Sequence, residues 1–135
     1  LIIMILGQLV GDINIIRQMD SRVKNIINYI KFGDFQDLKY EDVINNVFLS
    51  KSRITHLFKE EMGIPLMKYL TWERLINASK TLTTSQKTIT DTAYLYGFAD
   101  SAHFSRVFKE GFGTSPSKIF QKRQKDSYLI HVFTK

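Results

Sequence analysis

Cysteine is absent from the 135 residues. That excludes disulfides, thiol catalysis and Cys-based zinc sites, and it fits a reducing cytoplasm. Histidine is scarce. His56, His103 and His131 stand alone, without the close spacing that metal ligands need. No glycine-rich phosphate loop occurs, and no local Ser/His/Asp arrangement. The expectation is therefore no enzyme, no metal and no cofactor. Long apolar runs are missing too. Leu1 to Val10 is almost wholly apolar, but it is too short to span a bilayer and lacks the basic start of a signal peptide. No membrane partner is expected. Acidic residues are few, 13 against 19 Lys and Arg, which leaves a net charge of +6. The excess lies in the second half, where residues 69–135 hold ten basic and five acidic residues. Such a balance favours an anionic partner, nucleic acid before membrane.

What is present is a repeat. Phe98 to Gly113 reads FADSAHFSRVFKEGFG, and Phe48 to Gly63 reads FLSKSRITHLFKEEMG. At an offset of fifty, Ser50 matches Asp100, both good N-caps. Ile54, Leu57 and Phe58 match Phe104, Val107 and Phe108, which form one helical face at 100° per residue. Phe48 lines up with Phe98, and Gly63 with Gly113. Ser52, Thr55, His56 and Lys59 take the places of Ala102, Ser105, Arg106 and Lys109 on the opposite face. An ordinary amphipathic surface helix would carry such a face once. Two copies with matching anchors and differing outward residues read as two related helices aimed at different targets.

In chain order, Asp20 or Ser21 caps a helix to about Phe32, with Val23, Ile26, Ile27 and Ile30 inward. Tyr40 to Asn46 is a short helix, stapled by Leu38 and Val43. Ser50 opens the first reader helix. Leu66 to Leu82, with no Gly or Pro inside, is one long helix. Ile89 to Tyr96 is short and capped by Thr90. Gly97 is a turn glycine that needs positive φ. Asp100 opens the second reader helix. Ser115 and Pro116 start a last helix to about Arg123. Tyr128 to Phe133 is strand-like by composition.

These residues resemble the DNA-binding domain of AraC/XylS-type bacterial transcription regulators. The likeness rests on Gly97-Phe98, on Phe104 to Lys109, and on Gly113-Thr114-Ser115-Pro116. The first reader unit and the long helix match as well, so it covers about Ser21 to Arg123. It implies an all-α fold of seven helices in two helix-turn-helix subdomains joined by the long central helix. The expected division is residues 20–64 and 83–123 for the subdomains and 65–82 for the connector. Residues 1–19 are then the tail of a preceding domain or a linker, and 124–135 a C-terminal tail. The resemblance implies that the reader helices enter successive major grooves of double-stranded DNA. Ser52, Thr55, His56, Ser101, Ala102, Ser105 and Arg106 would read bases, and Arg53, Lys59 and Lys109 would meet phosphates. Phe58, Phe98, Phe104, Phe108 and Trp72 belong to the core. Lys118, Lys122 and Arg123 fit either phosphate contacts or a solvated helix face. A cytoplasmic activator is implied, with RNA polymerase as partner and a homodimer formed through an N-terminal domain. The alternative is a protein–protein interaction module built on the same helical units.

Overall fold

The computed structural model describes residues 19–133, and the side chains of residues 19–125. Among them run seven helices and no strand. They are α1 (Ser21–Phe32), α2 (Tyr40–Asn45), α3 (Lys51–Met62), α4 (Leu66–Thr84), α5 (Ile89–Leu95), α6 (Ser101–Phe112) and α7 (Pro116–Phe133). No helix among the described residues is long and apolar enough to cross a membrane. The reading of residues 1–18 lies outside what is described.

Two cores form, one on each half of α4. The first joins Val23, Ile26 and Ile30 of α1 to Val43 and Ile44 of α2, Ile54 and Phe58 of α3, and Leu66, Tyr69 and Leu70 of α4. The second joins Leu75, Ala78 and Leu82 of α4 to Ala93, Phe98, Phe104 and Phe108. Leu75 lies nine residues after Leu66, so at 100° per residue it points about 180° away. Residues 66, 69 and 70 make one face of α4, and 75, 78 and 82 make the opposite one. The connector is thus buried on both sides in turn. That explains why its apolar residues follow no single stripe in the sequence. Glu73 is buried on the first face, and burial, with Glu73 beside it, pushes the Tyr69 phenol up. The second core is tied by ring contacts running Phe98–Phe104–Phe108–Phe112 and on to Trp72, with centroids 4.6–5.4 Å apart.

Local rules place most helix ends, with three differences. Thr88, not Thr90, caps α5: its hydroxyl accepts from Asp91 N while the Asp91 carboxylate accepts from Thr88 N, a reciprocal capping box. The last helix does not stop near Arg123 but continues to Phe133. Gln121 to Lys125 are good helix formers followed by no Gly or Pro, so nothing ends the helix. The strand-like composition of Tyr128 to Phe133 yields to that continuity.

The third difference is the first turn. Phe98 is buried at 6% exposure, whereas Phe48 is fully exposed at 106%. The second turn passes through Gly97 at φ 73 and closes with Gly97 N donating to Tyr94 O and Phe98 N to Ala93 O. The first turn has no glycine. It closes by a tight bond from Leu49 N to Val47 O, 2.9 Å, a three-residue turn centred on Phe48. Val47 and Leu49 face the core instead, and the Phe48 ring points to solvent.

Gly63 and Gly97 separate two costs. Both have positive φ, but a Cβ on Gly63 would meet nothing within 4 Å, while one on Gly97 would stand 2.5 Å from Phe35 O. Gly63→Ala should cost about 1–2 kcal/mol, the left-handed backbone penalty alone. Gly97→Ala adds overpacking, for about 2–5 kcal/mol in all. Urea unfolding of the two variants checks this; equal losses would contradict it.

Candidate nucleic-acid interface

The reader helices α3 and α6 are built alike. The Ser50 hydroxyl accepts from Arg53 N at 3.4 Å, and the Asp100 carboxylate from His103 N at 2.6 Å. Each helix ends in a left-handed glycine, Gly63 or Gly113, whose N–H bonds back to Lys59 O or Lys109 O. Ile54 and Phe58 anchor α3, and Phe104 and Phe108 anchor α6, all with no exposed surface. With those faces buried, the other faces are turned out.

On α3, Ser52, Arg53, His56 and Lys59 are exposed and Thr55 is half-buried. On α6, Ala102, Arg106 and Lys109 are exposed, and Ser101 and Ser105 are half-buried. The hydroxyls are not all free to donate. Thr55 Oγ1 donates to Lys51 O and Ser52 O, and Ser105 Oγ donates to Ser101 O at 2.7 Å. Each presents outward an acceptor, and Thr55 a methyl group as well. His56 Nδ1 lies 3.4 Å from Glu60 Oε1, one turn on, which leaves Nε2 for a partner. Among the described residues Arg106 and Lys109 form no ion pair.

An open groove of about 490 Å³ runs beside α3, lined by Ser50, Ser52, Arg53, His56, Leu57, Glu60 and Arg22. It gathers three of the expected residues, while Thr55 and Lys59 lie outside it. Arg22 is an addition. Its guanidinium holds Asp20 at 2.6 Å, and that hydrogen bond pulls the Asp20 carboxyl down to about 2. No spacing rule links Arg22 to Arg53; only the packing of α1 against α3 does so. Arg123 is turned the other way. Its Nη1 donates to the carbonyls of Leu82 and Ser85 at the end of α4, and its guanidinium lies 4.6 Å over the Phe120 ring. It closes the C-terminus of the connector, where a cation suits the helix dipole. It is neither a free phosphate contact nor part of a solvated face.

Comparison with known proteins gives consistent neighbours. The helix-turn-helix domain family matches residues 44–122. The arabinose operon regulatory protein of Salmonella typhimurium is 36% identical over 103 residues, 75% of this chain and 36% of that protein. The chain therefore spans about a third of the length of that relative. The probable transcription factor PqrA of Proteus vulgaris is 35% identical over 84 residues, 62% of this chain and 69% of that protein. Among solved structures, the C-terminal domain of AraT, a response regulator from Geobacillus stearothermophilus, superposes with a TM-score of 0.71 at 26% identity. It covers 78% of this chain and 88% of that one.

Proposed function

Because the chain belongs to the AraC-type helix-turn-helix family, we propose that it binds double-stranded DNA sequence-specifically, one reader helix per major groove, and so regulates transcription. The observation that carries this reading is the repeated build of α3 and α6: apolar anchors fully buried, small and basic residues outward. In it, Arg106 is the principal base reader, since guanidinium matches guanine O6 and N7 bidentately. Ser52, Thr55, His56, Ser101, Ala102 and Ser105 line the reading faces and make shorter contacts, including thymine methyls, supported by DNA shape. Arg53, Lys59 and Lys109 take phosphates. Residues 20–64 and 83–123 act as the two reading units, and 65–82 as their spacer. A cytoplasmic activator that meets RNA polymerase and pairs through an N-terminal domain completes the reading.

Selection of bound duplexes from a random pool tests it, followed by a salt titration on the winning site. With three phosphates neutralised, log K should fall with log salt at a slope of about −2.7. No enriched sequence, or an affinity that salt leaves unchanged, would remove the DNA reading.

A further inference from the structure

The two units touch at a place other than the connector. The loop before α2 seats on the turn before α6. Phe35 is buried, and its ring centre lies 5.8 Å from that of Tyr96. Tyr96 packs against both cores, and its hydroxyl shares a 2.7 Å hydrogen bond with Thr81 Oγ1 of α4. Arg74, midway along α4, donates from Nη2 to Leu38 O at 2.6 Å. A Cβ on Gly97 would stand 2.5 Å from Phe35 O and 3.1 Å from Arg74 Nη2, so the backbones meet with no space between.

Arg74 is an odd choice for stability alone. It is half-buried, no carboxylate pairs with it among the described residues, and its Nε has no protein partner. Desolvation disfavours its charged form. An apolar residue would fill this space at lower cost. What the guanidinium adds is direction. It ties the loop that leads into the first helix-turn-helix to the helix that carries the second.

We infer that Arg74, with Phe35 and Tyr96, is a latch that fixes the angle between the two reader helices and thereby the spacing of DNA half-sites the protein accepts. The inference rests on the two-groove reading above. A single helix connector resists bending but leaves twist and bend within a range. A second contact between the units, beside the connector, removes that range. The loop leads into the first helix-turn-helix and the turn lies inside the second, between α5 and α6, so movement there would be passed to the reader helices. Arg74 touches no DNA in this scheme; it is a positioning residue.

The test uses Arg74→Met, which keeps the stem and removes the donor, and Phe35→Leu, which fills the first core without the ring. Circular dichroism establishes which variants are folded. Each is titrated against the selected duplex, against that duplex with one base pair added or removed between halves, and against each half alone. The folded variants should lose about tenfold or more on the full site, because linked binding depends on matched geometry. They should bind each half within about twofold of wild type and discriminate less between spacings. Residual dipolar couplings of the free protein supply a readout without DNA. Wild type should fit one alignment tensor, and each variant should need two. A folded variant with one tensor and wild-type spacing preference overturns the latch. A wild type that shows one tensor but no spacing preference removes the two-groove reading instead.

Discussion

Arg106→Ala is expected to lower affinity for the selected site by roughly 5- to 150-fold, the equivalent of about 1–3 kcal/mol of base discrimination. Binding to random duplex should fall far less. Arg106 is exposed on α6, unpaired among the described residues, and one turn after Ala102, whose methyl leaves room for a guanidinium to lie flat. Phe104 and Phe108 hold the helix from the other side and are untouched by the change. The fold should be unaffected, so thermal unfolding should match wild type. Lys109→Ala is the contrast. A phosphate contact carries no sequence information, so specific and random binding should weaken together, with the salt slope reduced by about one. Titration of both variants on both duplexes at two salt concentrations separates the roles. Exchanged behaviours would mean that Lys109 reads and Arg106 positions.

That such an assignment was open to sequence reasoning follows from where the information lies. Caps, anchors and terminal glycines act within about four residues, so Ser50, Asp100, Gly63 and Gly113 announce themselves. Helical spacing puts Phe104 and Phe108 inside and Arg106 and Lys109 outside without any tertiary knowledge. Some failures are local, where one signal outweighs its neighbour, as with the Thr88 cap and the helix that continues past Arg123; the others involve a partner distant in sequence or a choice of turn. Phe48 aligns with Phe98 residue for residue, but the fate of each ring is set by how its turn closes. Of the two turns only the second holds a glycine, Gly97, which adopts positive φ at low cost. Arg123 reads as one more cation on a basic helix until its acceptors, 38 and 41 residues earlier, are known. Arg74 and Arg22 were hidden for the same reason. Arg74's acceptor, Leu38 O, lies 36 residues earlier, and Arg22 meets the residues of α3 only through the packing of α1.

The connector is no inert rod: its two oppositely facing cores decide what an insertion into it does. Two extra residues turn everything beyond them by about 200° and add about 3 Å. Placed after Asn77, they would divide the second core, because Trp72 and Leu75 stand before that point and Ala78 and Leu82 after it. Half the wall of that core would be rotated away, and the second unit should unfold. Placed after Thr71, they fall between the two faces. Leu66, Tyr69 and Leu70 stay with the first core, while Trp72, Leu75, Ala78 and Leu82 stay with the second. Each unit then keeps its own anchors. What is lost is the Tyr69–Glu73 contact and the junction of Arg74, Phe35 and Tyr96. We expect the Ala-Ala insertion after Thr71 to keep nearly all helical content but to unfold in two separated transitions, since neither unit now supports the other. Its affinity for the selected full site should drop roughly 100-fold or more, to that of one half-site, because both readers can no longer engage together. The insertion after Asn77 should instead lose helical signal before any DNA is added. Circular dichroism melts beside titrations on full and half sites distinguish these outcomes. Full-site affinity preserved in the folded Thr71 insertion would mean that a single reader helix suffices, and that the rotation set by α4 is irrelevant to binding.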